Sequence, residues 1–221
     1  MTVENKIPNR GIGAAGPTVT RFICPFDQQE FNCLTDLQDH IMEVHTEPSE
    51  VSLIMLTING RPYEVHVEPQ RTLWYVLREK LGITSPKDMC NGYGACGSCT
   101  VIMNGRPILS CMTLAIECDG ATIETAEGIA DAGHPLIEAY VDLYAMQCGY
   151  CTPGFVVTAK ALLDRNPRPT EADIREALGG NICKCSSYPA HIRAVLTAAQ
   201  KLREDKNQGL KNNYATLSKE E

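Results

Sequence analysis

The sequence predicts an α+β chain in three parts: a small ββα segment, a β-rich segment around one helix, and an all-helical segment. Three observations predict it. Alternating apolar residues with turn pairs mark strands between Val51 and Cys111, and helical spacing takes over beyond Thr125. Eight of the eleven cysteines divide into two sets of four, one set in each of the larger segments.

Residues 1–21 are rich in Gly, Pro and Asn and read as a flexible tail. Gly11–Gly16 matches GxGxxG letter for letter, but it follows no strand and opens no helix, so it is rejected as a dinucleotide site. Residues 22–46 form a segment with its own pattern, and residues 46–50 are a polar hinge. Val51–Asn59, a turn at Gly60–Arg61 and Tyr63–Val67 read as a hairpin. Leu73, Val76, Leu77 and Leu81 recur at helical spacing, with Gly82 as a stop. The glycine-rich loop CNGYGACGSC follows, then the strand CTVIMNG, a turn at Asn104–Gly105, and a short strand into Cys111.

The helical segment begins near residue 126. Pro135–Tyr144 places Leu136, Ala139, Tyr140 and Leu143 on one face and runs into Cys148. Pro153 can start a helix that Asn166–Pro167 ends, and Thr170–Asp173 resembles a capping box with Asp in place of Glu or Gln. That helix stops at Gly179–Gly180, a last helix spans Pro189–Leu202, and residues 204–221 read as a polar tail. The expectation is four helices holding the second cysteine set between their ends, with domains at 51–125 and 126–203.

Composition narrows the function. A net charge of −7 on 221 residues argues against nucleic-acid binding, which calls for a basic surface. Residues 1–18 lack the apolar core of a signal peptide, and no apolar run reaches membrane-spanning length. The expectation is a soluble cytoplasmic protein without membrane insertion, its cysteines reduced and available to metal.

Cys90, Cys96, Cys99 and Cys111 place three thiolates on one loop and a fourth beyond it, nearly the plant-type ferredoxin spacing for a 2Fe–2S cluster. With strands around a helix, the pattern suggests a β-grasp domain. Cys148, Cys151, Cys183 and Cys185 form a CxxC and a CxC with 31 residues between them. A 2Fe–2S cluster needs four soft anionic ligands, which thiolates supply. A four-cysteine zinc site uses the same donors and stands as the alternative. Cys118 lies outside both sets and reads as a buried apolar residue.

Three stretches, CGSCTVIMNGRPILSC (96–111), HPLIEAYVDLYAMQCGYCTPGF (134–155) and GGNICKCSSYPAHIRAV (179–195), resemble the small iron–sulfur subunits of the molybdenum hydroxylases. That family includes xanthine dehydrogenase, aldehyde oxidoreductase and carbon monoxide dehydrogenase. The resemblance covers about Val51–Leu202. It implies a β-grasp domain with the distal cluster and a four-helix domain with the cluster beside molybdopterin. It also implies partners, a molybdopterin-binding large subunit and an FAD-binding medium subunit, in a hetero-oligomer with a dimer of heterotrimers as one form. Gln147 and Cys185 would lie against the pterin. Two departures stand out. Five residues separate Cys90 from Cys96 where the family has four, and Ser186–Ser187 replaces the family's Thr-Gly.

Cys24, Asp27, Phe31, Leu37, His40 and His45 follow the spacing of a C2H2 zinc finger in which Asp27 replaces the second cysteine. Zinc accepts carboxylate oxygen, so Cys24, Asp27, His40 and His45 are a candidate zinc set, with Cys33 a less well-spaced substitute. The alternative is a metal-free finger folded by packing alone. Its helix region is acidic and lacks arginines, which argues against a DNA role.

Two function classes follow: an electron-transfer subunit of a molybdenum-dependent oxidoreductase, or a regulatory protein with zinc-held cysteines. A reductive variant of the first, like hydroxybenzoyl-CoA reductase, runs electrons towards molybdenum. In either direction the substrate site lies on a partner chain.

Overall fold

Two Asn-Gly pairs build the β-rich segment. Asn59 and Gly60 have φ of 50° and 77°, and Asn104 and Gly105 have 49° and 79°, so each pair forms a two-residue turn that non-glycine residues other than Asn adopt poorly. The computed structural model describes residues 22–24, 27–41, 44 and 51–217. The first turn joins β3 (Ser52–Ile58) to β4 (Arg61–Val67), with Ile58 opposite Arg61, so the turn is Asn59–Gly60 rather than Gly60–Arg61. The second joins β5 (Thr100–Met103) to β6 (Arg106–Leu109).

A strand absent from the sequence reading, β7 (Thr122–Glu124), ties the hairpins into one sheet of order β4-β3-β7-β5-β6. It runs parallel to β3 and antiparallel to β5. Both turn asparagines hold it: Asn104 Oδ1 accepts from Thr122 N at 2.9 Å, and Asn59 Oδ1 accepts from Thr125 N at 2.9 Å. Thr72 caps α2 (Leu73–Tyr75), which continues as a π turn over Val76–Lys80. Leu73, Val76 and Leu77 pack with Ile54, Leu56, Ile58, Val65 and Ile123 in the first core. Cys118 is buried there, and burial, with the Glu117 charge, pushes its thiol up to about 11, as befits an apolar filler.

The helical segment holds α3 (Ala126–Asp131), α4 (Pro135–Asp142), α5 (Thr152–Arg165), α6 (Glu171–Leu178) and α7 (Tyr188–Leu217). Thr170 and Asp173 form a complete capping box at α6. The segment read as a polar tail is the continuation of α7 as far as Leu217; residues 218–221 lie outside the described residues. Its Lys, Glu, Gln, Leu and Ala residues are good helix formers, so a polar composition does not end the helix.

The β-rich and helical parts lie together in one compact unit, Glu50–Glu221. Strand β5 is the reason. Thr100, Val101 and Ile102 are all buried; Val101 faces the β-rich core and Ile102 joins the helical core with Phe155 and Leu136. A strand covered on both faces makes one sheet serve two cores.

The N-terminal unit, residues 1–49, is described by itself. β1 (Phe22–Ile23) pairs antiparallel with β2 (Glu30–Phe31), and α1 (Leu34–His40) follows. This is the expected ββα order. The reading of residues 1–21 as a tail, and the position of His45, lie outside the described residues.

Candidate iron–sulfur sites

The first cysteine loop is bent by left-handed residues. Asn91, Gly92, Gly94 and Gly97 have φ of 55°, 78°, 69° and 70°, which accommodates the extra residue between Cys90 and Cys96. Side chains pin it from outside. Asp88 Oδ1 accepts from Gly92 N at 2.9 Å, while Ser98 Oγ accepts from Met89 N at 3.2 Å and donates to Lys87 O at 3.1 Å. Trp74 Nε1 and Arg78 both donate to Pro86 O, anchoring the approach to the loop on α2 and its π turn.

This arrangement gathers the four thiols. Cys99 Sγ stands 3.3 Å from Cys111 Sγ, and Cys96 Sγ stands 3.1 Å from Ser98 Oγ. Burial pushes Cys111 up to about 12, helped by its hydrogen bond with Cys99 and by the charges of Cys99 and Cys90; the Gly94 amide opposes it. Burial would raise Cys96 too, but hydrogen bonds with Ser98 and Cys90 outweigh it and hold that thiol below its ordinary value. A pocket that crowds thiolates together repels them until a cation arrives, which suits a metal–sulfur cluster.

The second set sits where helices begin and end. Cys148 is exposed in the turn before α5, Cys151 stands buried just before the first residue of α5, and Cys183 and Cys185 lie in the loop between α6 and α7. Burial pushes Cys151 up to about 12, with the hydrogen bond to Cys183 and the charges of Cys183 and Cys148 adding to it. Cys183 is held low: burial is outweighed by hydrogen bonds from Ser187, Cys151 and the Cys185 backbone. Tyr188 Oη accepts from Cys183 N at 2.8 Å. The Ser-Ser departure costs little. Ser186 itself takes the left-handed conformation at φ 62°, and Ser187 O accepts from the Ala190 and His191 amides at 3.0 Å, starting α7. Gln147 Nε2 donates to Cys185 O at 3.2 Å, so these two expected pterin neighbours touch.

The two sets are joined by backbone. Ile182 N donates to Cys96 O at 2.9 Å, and Ile182 is bonded to Cys183. Beside it, buried Asn181 donates its Nδ2 to Gly97 O at 3.1 Å, and Tyr150 Oη donates to Asp88 O at 3.1 Å. One hydrogen bond therefore connects a cysteine of the first set to the neighbour of a cysteine of the second. The sequence reading missed these connectors, for nothing local marks Asn181 or Gly97 as partners 84 positions apart. It also missed His191, a buried histidine whose ring nitrogen lies within 4.8 Å of Cys151 and Cys183 Sγ.

In the N-terminal unit Cys24, Asp27 and His40 place one donor atom each within 4.8 Å of one another. Cys33 does not join them; it is exposed and its sulfur caps α1, accepting from Asp36 N at 3.4 Å.

Residues 56–127 match a family described as a 2Fe-2S iron-sulfur cluster binding domain, and residues 125–196 match one described as a 2Fe-2S binding domain. The nicotinate dehydrogenase small FeS subunit of Eubacterium barkeri is 45% identical over 150 residues, covering 67% of this chain and 95% of the relative. The chain belongs to the small iron–sulfur subunits of the molybdenum hydroxylases. The nicotine 6-hydroxylase small subunit of Paenarthrobacter nicotinovorans is 42% identical over 152 residues, 68% of this chain and 92% of that one. In solved structures, a chain of quinoline 2-oxidoreductase from Pseudomonas putida 86 superposes with a TM-score of 0.67 at 39% identity, covering 71% of this chain and 98% of that one. Members of this family are electron-transfer subunits of multi-subunit oxidoreductases, and that decides the function class over a zinc-held regulator. Among the described residues no helix is long and apolar enough to cross a membrane.

Proposed function

We propose that Cys90, Cys96, Cys99 and Cys111 hold one 2Fe–2S cluster and that Cys148, Cys151, Cys183 and Cys185 hold a second. Electrons then pass through both, between molybdopterin on a large partner subunit and FAD on a medium one. Each cluster, when bound, supplies a one-electron store. The observation that carries the reading is the hydrogen bond from Ile182 N to Cys96 O, which gives the two thiolate sets a direct chemical bridge.

This chain's residues do the positioning. Its buried sulfurs, Cys96, Cys99, Cys111, Cys151 and Cys183, keep water from most of the ligands, while Cys148 stays exposed at the surface. That surface also carries Tyr144, 85% exposed, Met146 and Gln147, an apolar face with one amide, and we assign it to the molybdopterin-binding partner. Gln147, steadied by Cys185 O, offers its remaining amide groups to the pterin. The opposite role falls to the first loop, where Tyr93 is 81% exposed beside Cys90, and we assign it to the FAD-binding partner. The complex is a cytoplasmic hetero-oligomer, and the substrate site lies on the large subunit. Relatives named for nicotinate and nicotine make a nitrogen heterocycle the first substrate class to test.

Affinity-tagged chain from its native host should bring down two partners, one with molybdopterin and one with FAD. Mixing that complex with its reducing substrate should reduce both clusters before FAD is fully reduced. Recovery of an active, cofactor-complete single chain would overturn the assignment.

A further inference from the structure

We propose that the N-terminal unit is a zinc site built from Cys24, Asp27 and His40. Three independent features meet there. The ββα order brings the end of β1, the hairpin turn and the last turn of α1 to one point. The donor atoms of the three residues lie within 4.8 Å of one another. The surroundings fix two of them: Asp27 Oδ1 accepts from Gln29 N at 3.1 Å, leaving Oδ2 turned to His40 Nε2 at 3.1 Å, and the His40 ring packs on Phe31 with centroids 4.7 Å apart. Cys24 is fully buried, which presents its sulfur to the inside of the unit rather than to solvent.

Among the residues of this unit whose side chains are described, Cys24 and Leu37 are the buried ones, and a unit of this size usually needs a metal or a disulfide. Cys33, the other thiol among the described residues, is exposed and engaged as a helix cap, so it forms no bridge with Cys24. One sulfur, one imidazole nitrogen and one carboxylate oxygen are a donor set that zinc accepts in tetrahedral geometry, and not one for an iron–sulfur cluster.

The test uses the intact complex. Metal analysis should find one zinc per chain beside the iron, lost in His40→Ala and in Cys24→Ser, with both cluster EPR signals unchanged. X-ray absorption at the zinc edge of the unaltered complex keeps the test independent of variant folding. It should read one sulfur at about 2.3 Å and the remaining ligands as nitrogen or oxygen at about 2.0–2.2 Å. Zinc well below one per chain overturns the proposal. So does zinc with four sulfur ligands, which would be metal misplaced in a cysteine set.

A second inference rests on different atoms and on the reading of Cys148, Cys151, Cys183 and Cys185 as cluster ligands. We infer that His191 donates an N–H hydrogen bond to the sulfur of that site. His191 is 1% exposed, and neither ring nitrogen has a hydrogen-bond partner among the described residues. Its ring is stacked on Phe155, 4.0 Å between centroids at 8°, which fixes its plane. A neutral imidazole carries one N–H, and the sulfurs of Cys151 and Cys183 lie within 4.8 Å of a ring nitrogen. Hydrogen bonds to cluster sulfurs stabilise the reduced, more negative form and raise the potential.

EPR-monitored redox titration should show one signal shifted to lower potential in His191→Phe, which keeps the ring stack, and restored towards the original in His191→Gln, which keeps a donor. The other signal should not move. In the unaltered complex, ¹⁵N-histidine labelling should change the nitrogen modulation of that same signal. Four irons per chain without any histidine coupling would sink the His191 inference and leave the cluster assignment standing. Two irons per chain would sink the assignment itself.

Discussion

Replacing Gly97 by alanine strikes the seam between the cysteine loop and the helical part. Gly97 has φ +70°, a left-handed conformation that costs a residue with a Cβ about 1–2 kcal/mol. The added Cβ would stand 2.5 Å from Gly180 O and 2.7 Å from Asn181 Nδ2. Neither neighbour can step aside, because the first is backbone and the second is the buried amide that donates to Gly97 O. Forcing a methyl into packed surroundings costs about 1–3 kcal/mol, and loosening that hydrogen bond about 1 more. A total of about 3–6 kcal/mol should lower Tm by roughly 6–24 °C in a unit of this length. Gly105→Ala is the control: its φ is +79°, but nothing lies within 4 Å of the added Cβ, so it should lose only the conformational part. Thermal unfolding of the two variants side by side, followed by circular dichroism, reads the difference. If Gly97→Ala were no less stable than Gly105→Ala, the seam would not be the close-packed joint described above.

Three further outcomes follow from the same geometry. Cys99→Ser should abolish one reduced EPR signal and halve the iron, and Cys151→Ser should abolish the other; loss of both signals from either variant would mean that the sites are not independent. Burial would raise the Glu127 carboxyl, but hydrogen bonds from Ser85 and Thr125 outweigh it and hold it below its ordinary 4.5, so its contribution to stability is present above that value and lost as pH falls through the lower folded one. Urea unfolding between pH 6 and 3 should therefore show a shallower acid loss in Glu127→Gln, which starts from lower stability. Thr170→Ala removes the cap that accepts from Asp173 N, and should cost about 1 kcal/mol in the same assay, with both cluster signals untouched.

What the sequence showed and what it hid have physical reasons. The Asn104–Gly105 turn, the Thr170 capping box and the cysteine spacings are local, and each was legible because the residues that act lie within a few positions of one another; the first turn was read one residue late, at Gly60–Arg61. Strand β7 was not, because three residues make a strand only when β3, β5 and two distant asparagines accept them. The union of the β-rich and helical parts was hidden for a similar reason: a strand with both faces buried, as β5 has, loses the alternation that would show which side each residue serves. His191 gave no signal, since a single histidine in an apolar helix carries no spacing. Its meaning comes only from Phe155, Cys151 and Cys183, brought to it from elsewhere in the chain. Ser186 shows the reverse case. The family's glycine is Ser187 here, yet the left-handed position is Ser186, the residue before it.

On the reading proposed above, two complete four-thiolate sites, bridged through Cys96 and Ile182, each hold a 2Fe–2S cluster. Iron and acid-labile sulfide determination on the purified complex, with EPR of the dithionite-reduced sample, tests it most directly. Two clusters require four iron and four sulfide per chain and two distinct signals, each integrating to one spin. A single signal with two irons, or zinc in place of iron at the eight cysteines, would contradict it.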